Sequence, residues 1–301
     1  MSESFDDLFE SVEPSSKMEL PPYDNEAYKA KKQQEREETY ALLYSTSEKM
    51  QQDAVLFQSY LDVQARFDRY SANNAVLITA QRPDATRLAE FDTWKEEGVY
   101  VNKGEKALSI LEPGGTFTKE DGTQATAYNV KKMFDVTQTN SQSKPPAARK
   151  HDNRKLLIAL LSNAPCKLSI SEGMSERINA IYRPEEKTIL VRAGMDAEDI
   201  FRAVTQELAH AHMDQKHEDY DRKDAMLAAY FSSYVLCKRF DVSTDIYHFE
   251  EMPARYRAMN PQEFRKEVSK IREVSNTISH SMNRVLTEQQ KQIQDRGGEA
   301  R

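Results

Sequence analysis

Residues 205–214 combine the side-chain types that a catalytic metal site uses. Gln206, Glu207 and His210 follow one another at helical spacing. In the metallopeptidase motif H-E-x-x-H, histidines at positions i and i+4 bind Zn²⁺, and the glutamate between them activates a metal-bound water. Gln206 stands at the first histidine position, and an amide is a weak zinc ligand compared with imidazole. The segment therefore keeps one general-base position, Glu207, and one ligand position, His210.

A catalytic zinc ion needs three protein ligands, so further donors must be sought nearby. The next predicted helix, residues 222–239, carries Asp224 near its start and then no carboxylate or histidine. On the first helix, Asp214 and His217 follow His210 at positions i+4 and i+7, on the same face if the helix persists. These two residues are the available partners for a metal held by His210.

Two interpretations of this motif stay open. In the first, which we favour, Gln206 and His210 are hydrogen-bonded cleft residues and no cofactor is bound. In the second, the protein is an active zinc metallopeptidase with Glu207 as the base and His210 as a ligand. That alternative requires Asp214 or His217 to complete an unconventional ligand set.

The segments around the motif predict the scaffold that would position it. Two β-prone runs, residues 177–182 and 188–192, flank a turn-rich connection and predict a hairpin. After Gly194, apolar residues recur at helical spacing through residue 211. A hairpin that leads into a helix with E-x-x-H is how zincin-type peptidases are built, with an edge strand beside the cleft that binds substrate backbone. We therefore expect a zincin-like domain over residues 153–301.

Composition limits the remaining possibilities. A chain of 301 residues has room for two ordinary domains, and 30% charged residues with only nine glycines favour a helix-rich α+β protein. Two cysteines, Cys166 and Cys237, are too few for a disulfide framework or a cysteine-based zinc site. The first residues lack a signal sequence, and no run approaches the ~18 apolar residues of a membrane span. We expect a cytoplasmic protein without a membrane partner.

The negative charge is concentrated at the start of the chain. Residues 1–54 contain six Lys/Arg and thirteen Asp/Glu, which matches the whole net charge of −7. Residues 1–25 mix acidic residues with prolines and are predicted to form an acidic flexible tail. Because the remainder is balanced, strong non-specific binding to duplex DNA is not expected, although a local basic groove is compatible with this balance.

Breaks in the sequence pattern predict two domains. Helices are expected from residue 25 to 67, from 70 to 81 and from 90 to 97, and strands over 107–111 and 125–134, with turns at Pro113-Gly114-Gly115 and Asp121-Gly122. Residues 26–140 form the first domain, 141–152 the linker and 153–301 the second domain. A C-terminal amphipathic helix over about residues 261–294 is expected to complete the second core, although it has the pattern to pair with another chain.

An ordered set of residues in the first domain resembles a known family. The set is Tyr70-Ser71, Asn74, Leu77-Ile78, Gln81, Pro83, Ala85-Thr86, Phe91, Trp94, Gly98, Val101, Lys103-Gly104-Glu105-Lys106, Ile110-Leu111, Pro113, Val130, Met133-Phe134-Asp135-Val136 and Gln138-Thr139. Over residues 55–140 it resembles the N-terminal single-stranded-DNA-binding domain of ArdC-type antirestriction proteins and of LtrC-like proteins carried on conjugative plasmids and transposons.

The resemblance also bears on the second domain. In this family a zincin-like metallopeptidase domain follows, its helix carrying H-E-L-A-H-A and a later A-E-S-x-A-Y-V-V-C segment supplying the third ligand. In this chain the acidic ligand position falls on Tyr230. Gln206 and Tyr230 therefore replace two of the three implied ligands, and the resemblance supports the fold while it argues against peptidase activity.

Single-strand binding requires aromatic side chains on which bases stack and basic side chains along the phosphates, with each stacked base worth about 1–3 kcal/mol. The candidate contacts are Tyr70, Asn74, Arg82, Trp94, Lys103, Lys106, Lys131 and Lys132, with Tyr100, Tyr128 and Phe134 as further platforms. Trp94 and Phe134 suit the core better than a platform. Asn74 has two possible roles, as a helix cap or as a contact to a base edge. The turn at 103–106 exposes amides between two lysines and suits a phosphate.

The sequence thus favours a single-stranded-DNA-binding accessory protein of a mobile genetic element, related to antirestriction or conjugation. Its zincin-like domain is expected to be inactive and to serve as a binding or protein-interaction module. One alternative is the active metallopeptidase described above. Another is a structural scaffold that binds no nucleic acid.

Overall fold

The computed structural model describes residues 25–119, 121–141, 151–162, 164–216 and 219–298. It is a mixed α and β fold, as the sequence predicts. The helices are α1 (Asn25–Gln52), α2 (Ala54–Arg66), α3 (Ala72–Gln81), α4 (Phe91–Glu96), α5 (Asn153–Leu161), α6 (Ala197–Lys216), α7 (Arg222–Arg239), α8 (Ala254–Ala258) and α9 (Pro261–Gly298). The strands are β1 (Leu88–Ala89), β2 (Leu108–Thr118), β3 (Gln124–Asp135), β4 (Lys167–Ser171), β5 (Ala180–Arg183) and β6 (Thr188–Arg192).

Polar caps set the helix boundaries. Asp53 separates α1 from α2, because its carboxylate accepts hydrogen bonds from the amides of Val55 and Leu56 at the start of α2. Ser71 caps α3, and Asp221 caps α7. The starts of α3 and of α7 agree with those predicted from the sequence, whereas the break at Asp53 divides the helical span predicted over residues 25–67.

The first sheet is antiparallel, with the strand order β1-β3-β2. Residues 113–115, predicted to be a turn, instead lie inside β2, and a register shift between Pro113 and Thr116 accommodates them. A bulge places an extra residue in one strand without ending the pairing, and proline and glycine are tolerated there. The chain reverses later, around Gly122, whose φ of +79° favours glycine. The hairpin is therefore longer than the sequence predicted.

The second sheet has the order β4-β6-β5, and it contains the predicted antiparallel hairpin of β5 and β6. A strand that the sequence analysis did not identify, β4, pairs in parallel with β6. The first residues of α6 follow directly, and α6 packs against β5 and β6. As a result, β5 is the edge strand next to α6.

One hydrophobic core extends through both halves of the chain. Phe57 of α2 packs edge-to-face on Phe231 of α7, with 4.8 Å between ring centroids, and lies 6.0 Å from Phe264 of α9. The Arg239 side chain of α7 donates to the carbonyls of Gln64 and Ala65 at the end of α2. The predicted linker falls largely on residues 142–150, outside the described residues, so the domain division stays a prediction.

The C-terminal helix α9 completes this core, as expected. Its apolar face is buried, and it packs against α1, α3, α5, α6 and α7. The buried side chains are Phe264, Val268, Ile271, Val274, Ile278, Met282 and Leu286. Among the described helices, none combines the length and the apolar character that a membrane crossing requires.

Candidate functional site

The structure brings the degenerate motif and Tyr230 into one cleft. Gln206 and Glu207 of α6 line it together with Tyr230 of α7, and its volume is about 280 Å³. Ala180 at the start of the edge strand β5 forms part of the wall. The two positions at which family resemblance implies missing ligands therefore line the same cleft as the candidate base.

The carboxylate of Glu207 is fully engaged within the protein. Its Oε1 accepts a hydrogen bond from Nη2 of Arg222 at 2.7 Å, and its Oε2 accepts from Nη1 of Arg222 at 2.8 Å. The same Oε2 accepts from the backbone amide of Tyr182 on β5 at 2.7 Å. Glu207 is only 3% exposed, so the forked contact with Arg222 neutralises a buried charge. A general base needs a lone pair directed at a water molecule, whereas both oxygens of the nearly buried Glu207 already accept hydrogen bonds from protein donors.

The one imidazole of the motif is also held inside the fold. His210 is 1% exposed, and its Nδ1 lies 2.9 Å from the hydroxyl of Tyr220. Burial, assisted by the positive charge of Arg222, lowers the pKa of His210 to about 3. The imidazole is therefore neutral in the folded protein at neutral pH.

Asp214, one of the two proposed partner ligands, is held by other side chains. The Asp214 carboxylate accepts hydrogen bonds from the Tyr182 hydroxyl and from the Lys187 ammonium, both at 2.6 Å. Although burial acts in the opposite direction, the hydrogen bonds from Lys187 and Tyr182 lower the pKa of Asp214. His217, the other candidate, lies outside the described residues.

These residues do not fit a catalytic zinc ion. Within the described ranges, no three His, Cys, Asp or Glu side chains form a group that could hold a metal ion. Beside Glu207, where a zincin has a cation, the chain supplies the guanidinium of Arg222. A metal ion next to this fixed positive charge would be repelled, and Gln206 and Tyr230 offer it neither an imidazole nor a carboxylate.

Acid should destabilise the protein partly through His210. The pKa of His210 in the folded protein lies below its unfolded-state value of 6.5. The contribution of His210 to the free energy of unfolding is therefore complete above pH 6.5, and it is lost as the pH falls from 6.5 towards the folded-state pKa. From pH 7 to pH 5 this group should lower the free energy of unfolding by about 2 kcal/mol.

Urea titrations at both pH values measure this effect. His210→Gln keeps a polar side chain near Tyr220 but does not titrate, so its loss between pH 7 and pH 5 should be smaller than that of the wild type. The comparison also cancels His212, whose pKa is lowered by burial and then by Lys216 and which is present in both proteins. Equal losses in the two proteins would show that His210 titrates normally.

The sequence analysis missed Arg222 and Tyr220. Arg222 is the first residue of α7, where the positive end of the helix dipole disfavours a cation. A cation at this position suggests a nearby carboxylate, but Asp221 and Asp224 are closer in sequence, so the signal does not point to Glu207. Tyr220, by contrast, carries no comparable signal, because only the fold brings it beside His210.

A basic pocket in the first half of the chain gathers three of the predicted DNA contacts. Arg82, Lys103 and Lys106 line a depression of about 600 Å³ around the end of α3. Gly104 sits between the lysines with φ of +91°, a conformation that favours glycine and opens the turn. Glu105 also lines the pocket and lies 3.6 Å from Arg82. Because three cationic side chains face this one carboxylate, the pocket keeps a net positive charge. We call this site the basic turn.

The remaining predicted lysines and tyrosines do not line the basic turn. Lys131 on β3 is paired with Glu90 and Glu112, at 2.8 and 2.9 Å, and these contacts raise its pKa. Lys132 donates to the hydroxyl of Ser109. Tyr70 is half-buried against Phe67, whereas Tyr100 and Tyr128 are exposed.

Asn74 and Trp94 have structural roles. Ser71, not Asn74, caps α3, and the Asn74 amide forms two 2.8 Å hydrogen bonds with the backbone N–H and C=O of Leu111. Trp94 is 1% exposed, and its indole donates to the carbonyl of Phe134. The Asn74 side chain thus connects α3 to β2, a contact that neither of the two roles predicted from the sequence included.

Substitution of Asn74 should affect stability rather than binding. Asn74→Ala leaves the buried N–H and C=O of Leu111 without these partners, which should lower the free energy of unfolding by about 2 kcal/mol. The exposed neighbour Asn73 on the same helix provides the control, and Asn73→Ala should change stability by less than about 0.5 kcal/mol. Chemical denaturation measures both values, and equal stabilities would contradict this connection between α3 and β2.

Comparison with known proteins identifies a relationship in the first half of the chain. Residues 26–154 match the family described as the N-terminal domain of anti-restriction factor ArdC. Over 49 residues, 16% of this chain and 8% of the relative, the sequence is 47% identical to an uncharacterized protein of Bacillus anthracis. The family match extends from the predicted region, 55–140, back through α1.

Two solved structures are also similar. The metal-free crystal structure of the antirestriction ArdC protein from R388 plasmid has 17% sequence identity and a TM-score of 0.49, covering 73% of this chain and 86% of that one. The Mn(II)-bound structure has 16% identity and a TM-score of 0.48, covering 72% and 85%.

Proposed function

We propose that this chain, an ArdC-like protein by virtue of residues 26–154, is a single-stranded-DNA-binding accessory protein of a mobile genetic element that acts in antirestriction or conjugation. The observation that carries the proposal is the convergence of Arg82, Lys103 and Lys106 in one open pocket. Phosphates attract such clusters, and exposed backbone amides at a turn add hydrogen-bond donors.

The basic turn suits a phosphate next to an exposed base. Tyr100 is 57% exposed, and its backbone pairs with Asn140 in the short antiparallel segment that leads into the turn. A base stacked on this phenol ring would leave its phosphate close to Lys103, three residues further along the chain. Stacking of this kind is tolerant of sequence, because every base has an aromatic face.

The second half of the chain acts as a binding module rather than a peptidase in this proposal. The support is the Glu207–Arg222 contact, which occupies both oxygens of the candidate base. The edge of β5 gives further support. A peptide substrate would use the Tyr182 amide, and this amide donates to Glu207 instead. A protein partner at this half is part of the proposal.

Fluorescence anisotropy with a labelled single-stranded oligonucleotide tests the DNA proposal. We expect saturable binding whose logarithmic affinity falls linearly with the logarithm of salt concentration, and weaker binding to the matching duplex. Measurement at two salt concentrations is sufficient to reveal the dependence. Absence of salt-dependent binding would favour the scaffold interpretation, in which the chain contacts no nucleic acid.

A further inference from the structure

A second basic groove lies between the start of α3 and the helix α9. Its volume is about 470 Å³, and its lining includes Asn73, Arg265, Lys266, Ser269, Lys270 and Glu273. The four α9 residues 265, 266, 269 and 270 have the spacing of one helix face. We call this site the α9 groove.

An exposed aromatic ring stands beside this groove. The Arg265 guanidinium lies over the ring of Tyr44 on α1, 4.7 Å from its centroid, and Tyr44 is 44% exposed. The ring of Tyr40 is 5.9 Å from that of Tyr44, one helical turn away. A guanidinium stacked on an exposed phenol ring offers a planar, positively charged surface, which is what an unpaired base stacks on.

The groove also carries positive charge that is not neutralised locally. Lys270 pairs with Glu267 of its own helix at 2.5 Å, and Glu273 lies 3.8 Å from Lys216. Among the described residues, Arg265 and Lys266 form no ion pair with a carboxylate. An aromatic platform with adjacent unpaired cations matches a single nucleic-acid strand, which presents bases and phosphates in alternation.

The α9 groove and the basic turn are located at opposite ends of the same helix. Asn73 in the first turn of α3 lines the groove, whereas Gln81 at its last residue lines the basic turn. A helix of ten residues is about 15 Å long. The two sites are thus separated by a distance that a short stretch of single strand can cover.

We propose that the α9 groove binds the same single strand as the basic turn, with a base stacked on Tyr44 and Arg265 and an adjoining phosphate held by Lys266. The inference rests on the proposed function and extends it, because it assigns a nucleic-acid contact to the C-terminal helix. The two halves of the chain then form one binding surface.

Anisotropy titrations of the full-length protein test the groove with Tyr44→Leu and Lys266→Ala. With an oligonucleotide of about 12 nucleotides we expect Tyr44→Leu to weaken binding about tenfold. Lys266→Ala should weaken it about fivefold and reduce the slope of its salt dependence by about 0.7, the value of one phosphate contact. Arg284→Ala, an exposed site further along α9, is the matched control and should bind as the wild type does.

Oligonucleotide length distinguishes one shared strand from two separate sites. With an oligonucleotide of about 2 nucleotides, too short to reach both sites, the loss caused by Tyr44→Leu should be smaller than with the long one. Equal losses at both lengths would overturn the shared strand. If both variants bind the long strand normally while Lys103→Ala/Lys106→Ala binds it weakly, the inference fails and the proposed function stands. If the wild type binds no single strand, both fail.

Discussion

Replacement of Arg222 by methionine is expected to lower the free energy of unfolding by about 3 kcal/mol, since Glu207 would then be a buried carboxylate without its counter-ion. Only the backbone amide of Tyr182 would still donate to it. The Arg222 side chain is 39% exposed whereas that of Glu207 is 4% exposed, so solvent screens only the arginine side of the pair. This places the expected cost at the lower end of the range for a broken buried ion pair.

The opposite substitutions provide the control. Glu207→Gln removes the buried charge, and the partly exposed Arg222 can then reach solvent, so this variant should lose about 1 kcal/mol. The double variant Glu207→Gln/Arg222→Met should be more stable than Arg222→Met alone, because no uncompensated charge remains. Urea unfolding followed by circular dichroism gives all four values for a double-mutant cycle. Additive losses would show that the two side chains do not interact.

Removal of both lysines of the basic turn should weaken single-strand binding by about tenfold to a hundredfold at low salt, because each charge-assisted phosphate contact contributes of the order of 1 kcal/mol. For Lys103→Ala/Lys106→Ala the slope of log affinity against log salt should fall in magnitude by about 1.4, from about 0.7 per phosphate contact. Both side chains are exposed, so stability should change little.

A matched pair of lysines lies in the other half of the chain. Lys155 on α5 and Lys167 on β4 are exposed, and Lys155→Ala/Lys167→Ala removes the same net charge. If the basic turn is the binding site, this control should keep the affinity and salt slope of the wild type. Equal weakening by both double variants would mean that overall charge, rather than the basic turn, governs binding.

The sequence contains enough local information to predict most elements of the fold. The cap at Ser71 and the spacing of apolar residues predicted the helices, and two β-prone runs around a turn predicted the β5–β6 hairpin. The cap at Asp53 was not predicted. The parallel strand β4 was missed because it depends on β6 for its hydrogen bonds and is largely exposed, so it has no strong pattern of its own. Pro113 misled the prediction, because a bulge can carry a proline within a strand.

The candidate site was predictable in part. Residue type indicated that Gln206 is a poor ligand, the family resemblance indicated Tyr230 as a second lost ligand position, and the structure places both in one cleft. The partners of Glu207 and Asn74 were not predictable, because Arg222 is separated by a loop and Leu111 lies on a distant strand. Such contacts depend on how elements pack, and spacing along the chain carries no direct information about them.

The metal content of the purified protein distinguishes a cleft that holds no zinc from a zinc peptidase site. After incubation with zinc and then dialysis, elemental analysis should find far less than one zinc ion per chain, because Arg222 already supplies the positive charge beside Glu207 and two ligand positions hold Gln206 and Tyr230. A stoichiometric zinc ion that is lost in the His210→Ala variant would contradict the account and favour an active metallopeptidase.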